Sequence, residues 1–406
     1  MRPTFTLAAL IIGAGAPAFA QEGEGEWTAK VEATLVANGV ESDSAVATAA
    51  DVLLGSALLE VSRSDTFDNG LTLGWLAAVR YDRDARTRPA FSGALGTCAP
   101  VNPSCASLAS GTLSPVSPAT GLAVGGAPFD EKDFIALEAA SVTLSSPWGD
   151  AVLGYDVGAA ARLDARAPTV LNRVSAFSSG LDPTGMVVTR ARNDVTGASP
   201  KATYLSPRWL GLRLGVSYTP EANHRTADFD PEASGPGLAS AELEKVWEGG
   251  VSFARQFAEQ GLRVRAAVTY SSADSAANRP AFGGYEAWGA GLELEHDGWT
   301  GGVRWLTSNN AWAAGNGDYD AWEVGLVKET EDGWRFGAEV GWSEDSLSRL
   351  EGTSWLVGVS REISHNLEVG FGWASSGVDI PIPAGLTPGH TNASNDGLLV
   401  EFTVRN

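Results

Sequence analysis

Cysteine and methionine are nearly absent from this 406-residue chain, at 2 residues each, and histidine is scarce at 4. Two cysteines cannot staple a chain of this length into a disulfide scaffold. So few His and Cys also leave little material for a transition-metal centre or a histidine-based active site. Positive charge is short as well: 28 Lys+Arg stand against 49 Asp+Glu, a formal net charge of −21. Nucleic-acid binding needs a basic surface, so that class is set aside. Past residue 20 there is no long continuous apolar run, and a mean hydropathy of −0.05 is too low for a bundle of membrane helices. What is abundant is glycine, 48 residues, and tryptophan, 14, which suits many short strands and tight turns better than packed helices.

The first twenty residues read as an export signal. Arg2 is the positive start, Leu7 to Ala18 is the apolar stretch, and Ala18-Phe19-Ala20 has the small-x-small form of a cleavage site. The apolar stretch is shorter than the roughly 20 residues a spanning helix needs. The mature chain, residues 21–406, is expected to be one exported domain. If it crosses a membrane it must do so as a closed barrel, because only helices and barrels satisfy their backbone in lipid.

From Trp27 onward the dominant period is two, the period of a strand. Trp334, Phe336, Ala338, Val340 and Trp342 alternate with Arg335, Gly337, Glu339 and Gly341. Leu262, Val264, Ala266, Val268 and Tyr270 alternate with Arg263, Arg265, Ala267 and Thr269, and Trp299, Gly301, Val303 and Trp305 with Thr300, Gly302 and Arg304. Each apolar face runs about ten residues, the length of a tilted membrane strand, and aromatics gather at segment ends, where an interfacial girdle would lie. The spacing predicts strands at 27–38, 51–63, 70–83, 133–146, 149–155, 200–207, 210–219, 246–258, 261–272, 283–296, 298–309, 319–330, 333–344, 353–362, 366–377 and 396–405. Short and long connections take turns. Asp68-Asn69-Gly70, Pro147-Trp148, Asp297-Gly298 and Asp332-Gly333 mark tight turns, whereas 84–132, 156–199, 220–245 and 378–395 are long. Tight turns at one end and long loops at the other predict an all-β transmembrane antiparallel barrel of about sixteen strands.

At this point the sequence resembles the general diffusion porins of Gram-negative outer membranes. Trp27-Thr28-Ala29-Lys30-Val31-Glu32 is similar to the family's polar first strand. Leu144-Ser145-Ser146-Pro147-Trp148-Gly149-Asp150-Ala151-Val152-Leu153-Gly154 is similar to the Phe/Trp-Gly hairpin before its long third loop. Tyr204-Leu205-Ser206-Pro207 with Leu210-Gly211-Leu212 is similar to the pattern after that loop. Two features depart from the family: the chain ends Val404-Arg405-Asn406 without a terminal aromatic, and a Pro-Glu-Phe-Gly type segment is missing from the long loop. The resemblance implies short periplasmic turns, long extracellular loops and loop 156–199 folded into the lumen as a constriction. It also implies a homotrimer in outer-membrane lipid and lipopolysaccharide, passing ions and small hydrophilic solutes. On that basis the pore-lining candidates are Asp156, Asp164, Asp182 and Asp194 of the loop, facing Arg80, Arg213, Arg263, Arg265, Arg304 and Arg335 of the wall. The loop also carries Arg162, Arg166, Arg173, Arg190 and Arg192, and Glu293, Glu339, Glu368 and Glu401 share the lumen. Opposed charges across a narrow aperture set up a transverse field that favours polar solutes. The net charge favours cations near the mouth while the inward face carries many arginines, and the expected preference leans toward cations.

Cys98 and Cys105 lie in one long loop, and the exported setting permits a local disulfide between them. No cofactor is expected. The acidic stretch Asp228 to Glu232 suggests structural calcium at most, without EF-hand spacing. His224, His296, His365 and His390 are expected in loops or turns, away from any Ser and acid, so catalysis is not expected. Two other readings remain. One is a substrate-selective outer-membrane channel. The other is a soluble exported β-protein that binds or hydrolyses glycans through Asp/Glu pairs, which as a propeller would need a constant repeat the chain lacks.

Overall fold

A computed structural model describes residues 25, 27–42, 53–83, 114–123, 133–178, 180–222, 238–381 and 390–406. Sixteen strands form one closed antiparallel barrel in which sequence neighbours are spatial neighbours and the last strand pairs with the first. They are β1 (Thr28–Ser42), β2 (Leu53–Thr66), β3 (Thr72–Arg83), β4 (Asp133–Ser146), β5 (Gly149–Asp156), β6 (Ser199–Leu205), β7 (Leu212–Glu221) and β8 (Leu243–Phe257). The second half comprises β9 (Leu262–Ser275), β10 (Tyr285–His296), β11 (Trp299–Ser308), β12 (Tyr319–Glu329), β13 (Trp334–Asp345), β14 (Leu350–Ser364), β15 (Leu367–Pro381) and β16 (His390–Arg405). Closure places Glu32 opposite Arg405 and Ser42 opposite Asn395. Each predicted segment coincides with one strand, and the main differences are extensions at the long-loop end. There β15 and β16 continue as a ladder through Gly377 opposite Ser394 and Asp379 opposite Asn392.

The orientation of the alternating faces decides what kind of barrel this is. On β12 and β13, Trp322, Val324, Leu326, Phe336, Val340 and Trp342 are exposed on the outside, whereas Glu323 and Glu339 between them are buried inside. The register puts Trp322 opposite Trp342 and Val324 opposite Val340, so like side chains tile the outer surface. Trp247, Trp288, Trp322, Trp342, Trp355 and Trp373 lie toward the long-loop end of the outer face. Trp148, Trp209, Trp299 and Trp334 lie at the tight-turn end. Aliphatic side chains fill the band between them, as lipid requires. At the tight-turn end Lys328 lies over Trp299, 5.4 Å from the ring centroid, and Arg361 over Trp334 at 5.0 Å, as cations do where lipid meets water. A soluble protein would bury this face in a dry centre, and here it points outward. Among the described residues no helix is long and apolar enough to cross a membrane. The one α-helix among the described residues, α1, spans Ala159–Leu163.

The inner face is not left empty. The connection 157–198 folds against it and is largely buried. Glycines that the sequence places on the polar face make its bed. A Cβ on Gly302 would lie 2.9 Å from Pro168 Cδ and 3.1 Å from the Arg166 carbonyl, and one on Gly337 would lie 2.8 Å from Val170 Cβ. Side chains at Gly291, Gly325 and Gly370 would collide with Ala165, Pro168 and Leu171. Wall side chains then pack around Ala167, Val170, Leu171, Val174, Ala176, Phe177 and Leu181 of the loop, where Val36, Leu54, Val327, Leu356 and Leu399 share one apolar cluster with them.

Candidate functional site: the inner passage

The loop is fixed by buried carboxylates of the wall. Glu401 accepts three successive backbone N–H groups, from Asn172 at 2.7 Å, Arg173 at 3.0 Å and Val174 at 2.9 Å. Glu339 accepts from Val170 N at 2.7 Å and Ala176 N at 3.1 Å. Glu323 accepts from Ala191 N at 2.8 Å and binds Arg304, which also reaches Asp164 at 2.7 Å. At the far end of the loop Thr196 Oγ1 donates to Glu248 at 2.7 Å, with Lys201 beside both. A buried carboxylate needs such donors to stay charged without a large desolvation penalty, so loop and wall satisfy one another. The expectation from sequence that Glu339 and Glu401 are open lumen charges therefore fails, because the loop covers them.

The loop acids are committed too. Asp156 pairs with Arg162 at 2.5 Å and accepts from Ser141. Asp164 pairs with Arg304. Asp194 pairs with Arg190 at 2.5 Å and Arg192 at 3.2 Å. Asp182 does not face the passage as expected: it is buried within its own turn, accepting from Thr184 and Val187. On the wall, Arg213 sits at the tight-turn end bound to Asp150 and the Ser206 carbonyl. Arg263 and Arg265 sit at that end too, facing Glu295 at 2.8 Å and Glu293 at 3.0 Å. Arg335 bridges Glu368 at 3.3 Å and the Thr169 carbonyl at 2.8 Å. Of the wall set, Arg80 and Arg304 line one cavity together with four loop arginines, and Arg335 lines another with Arg166.

Between the loop and β3–β4 lies a cavity of about 450 Å³. Arg80, Asp82, Glu138 and Arg304 line it from the wall, and Arg166, Arg173, Arg190, Arg192 and Asp194 from the loop. Six arginines thus face three carboxylates. Arg80 lies 3.4 Å from Glu138 and Arg173 lies 3.6 Å from Asp82. Arg166 has no ion pair among the described residues, and it also lines a second cavity of about 290 Å³ on the tight-turn side, with Thr169, Glu293, Glu329 and Arg335. Crowding by Arg192, then burial, then Arg304 lowers the Arg166 pKa; an arginine so shifted is still a cation at neutral pH. Sequence reasoning missed Glu138 because the ladder shifts between Ala78 and Val79, opposite it. That irregularity breaks the alternation on which the reading of β4 depended. The β12 alternation did carry a signal for Glu323.

The model of the Gram-negative porin family matches residues 6–379 of this chain. The chain is a Gram-negative porin. It is an outer-membrane channel for the passive diffusion of solutes. The porin is similar in structure to an anion-selective porin from Comamonas acidovorans, at 11% identity and a TM-score of 0.54, over 94% of this chain and 100% of that one. OmpF of Salmonella typhi, solved with daunomycin, is similar at 11% identity and a TM-score of 0.54, over 94% and 98%. The outer-membrane channel DcaP of Acinetobacter baumannii is similar at 10% identity and a TM-score of 0.51, over 95% and 99%. At these identities the likeness is one of fold. No curated protein matches the porin's sequence. Among its described residues no group of three or more His, Cys, Asp or Glu could hold a metal ion. Cys98, Cys105, His224 and Asp228 to Glu232 lie outside the described residues, as does the segment 1–20. His296 ends β10 and His390 begins β16, while His365 lies in a tight turn.

Proposed function

We propose that this porin passes small hydrophilic solutes with a preference for anions, and that loop 157–198 sets both the width and the charge of the aperture. The carrying observation is the excess of arginine along the 450 Å³ cavity, with Arg166 lacking an ion pair among the described residues at its junction with the cavity below. A unit charge about 4 Å away is worth about 4 kcal/mol at an effective dielectric near 20, whereas exposed charges beyond about 10 Å are largely screened at 0.1 M salt. The passage should therefore outweigh the acidity of the molecule as a whole, which reverses the cation preference expected from net charge. A relative of this fold is itself described as anion-selective. Reversal potentials across a planar bilayer under a KCl gradient test this reading. The sign for chloride is expected, and the sign for potassium would overturn the preference.

The same reading covers assembly and export. The outer faces of β1 and β2 carry Ala29, Ala33, Ala37, Gly55 and Ala57 in register and few aromatics. That stretch suits contact with a second copy better than lipid does. One structural relative, OmpT of Vibrio cholerae, is described in a trimer form. Three copies are proposed to pack through this face, with lipid and lipopolysaccharide around the rest; a single-chain mass in mild detergent would count against it. Residues 1–20 are proposed to be removed on export, so that the mature chain begins at Gln21, which a mass measurement checks. Nothing in this transport calls for a cofactor or a chemical step.

A further inference from the structure

A second segment enters the barrel. Residues 114–123 belong to the connection between β3 and β4, and those from Val116 to Thr120 are buried. Ser114–Pro115 pairs in parallel with Leu238–Ala239 near the long-loop end. A turn follows, in which Gly121 N donates to the Ser117 carbonyl at 2.7 Å and Ser117 N to the Leu122 carbonyl at 2.9 Å. Ala119 joins Ala191, Tyr285, Leu306 and Tyr319 in an apolar cluster between the strap and the wall. No period-two pattern marks this segment in the sequence.

One wall residue holds the strap. Asn310, fully buried in the β11–β12 connection, uses its whole side-chain amide. Its Oδ1 accepts from Ser117 Oγ at 2.9 Å and from Ala119 N at 3.2 Å. Its Nδ2 donates to the Gly317 carbonyl at 2.9 Å and to Asp345 at 3.0 Å. Thr120 Oγ1 reaches the other Asp345 oxygen at 3.4 Å. A buried amide with both ends satisfied specifies one arrangement, since removing it strands several polar partners. The strap in turn touches the passage: the Ala119 carbonyl accepts from Arg190 Nη1 at 3.2 Å, while Arg190 Nη2 pairs with Asp194 at 2.5 Å. The Arg190 guanidinium is thus held between the strap and the constriction loop, on the lining of the 450 Å³ cavity.

We infer that the aperture is set by two inserted segments rather than one, and that Asn310 is a positioning residue for ion selectivity, acting through Ser117 and Ala119 on Arg190. The inference rests on the proposed reading of the cavity as the permeation path. Released from the Ala119 carbonyl, Arg190 keeps its charge and its pair with Asp194 but loses the second of its two holds, so its direction is less fixed and the field it contributes to the path weakens.

The test measures reversal potential in planar bilayers for the full porin and for N310A, R190Q and the double variant, with the heat stability of each barrel followed in detergent. N310A and R190Q are each expected to shift the reversal potential toward zero. The double variant is expected to match R190Q alone, because both changes act through one guanidinium. The pair S117A/T120A leaves Asn310 in the wall and removes only strap contacts. It is expected to shift the potential in the same direction with the barrel as heat-stable as the parent, which keeps the test usable if N310A does not fold. Selectivity unchanged in S117A/T120A and N310A while R190Q moves it would overturn the inference and leave the proposed anion preference standing. Additive shifts in the double variant, or an R190Q that changes nothing, would overturn it as well. A parent protein that conducts nothing would end the proposed function itself.

Discussion

Arg304 and Arg263 both sit on the inner face of neighbouring parts of the wall, and the sequence offered the same argument for each: an arginine at an inward position of an alternating strand. Their surroundings separate them. The Arg304 side chain is 5% exposed, between Asp164 and a fully buried Glu323, whereas Arg263 and its partner Glu295 are 44% and 41% exposed. Removing Arg304 leaves a buried carboxylate without its counter-charge, a loss of about 3–5 kcal/mol for such groups. An exposed pair such as Arg263 with Glu295 is screened by water and salt and is worth about 0–1 kcal/mol. R304A is therefore expected to unfold at clearly lower temperature or denaturant in detergent, and R263A to stay near the parent. Equal losses for the two would show that loop cover adds nothing to the Arg304 cluster. The strand period told which way each side chain points. It could not tell which inward positions the loop would cover, because that depends on contacts between Arg304 and Asp164 separated by 140 residues of sequence.

At the scale of the element, the strands were legible because outer apolar positions recur wherever the wall meets lipid. Their ends were less legible for the same reason. Asn392 and Ser394 add nothing to an apolar face, so 378–395 reads as loop, yet the hydrogen-bonded ladder continues through them beyond the apolar band. The inner glycines were read as empty polar positions, and they are the surface on which the constriction loop lies. Gly301 and Gly302 separate these roles within one strand. A Cβ at Gly301, on the outer face, meets only Leu326 Cδ1 at 3.4 Å, but at Gly302 it meets Pro168, the Leu292 carbonyl and the Arg166 carbonyl at 2.9–3.1 Å. The valine variant at Gly301 should conduct like the parent. The Gly302→Val variant should form the barrel but displace the loop segment that carries Arg166, changing single-channel conductance and exposing the loop to protease. Identical conductance in both variants would mean that the loop does not press on this wall.

For the whole molecule, charge was the least legible property, because composition counts every carboxylate alike. Net charge is −21, yet Glu323, Glu339 and Glu401 are covered by the loop and engaged by its N–H groups or by Arg304. Asp156 and Asp164 are likewise held by arginines. Apart from those that line the two cavities, the carboxylates that remain influence permeation from a distance, and distance is judged against the screening length. At 0.1 M salt that length is about 10 Å, so an ion in the aperture responds mainly to the six arginines and three carboxylates around it. At 0.01 M it grows to about 30 Å, and acids spread over the rest of the barrel begin to repel anions from both mouths. The anion-to-cation permeability ratio is therefore expected to fall as the bathing salt is diluted across that range, measured from reversal potentials at a fixed concentration ratio. A ratio that climbs steadily on dilution would show that the aperture arginines dominate at every range and that the acidity of the molecule has no part in selectivity.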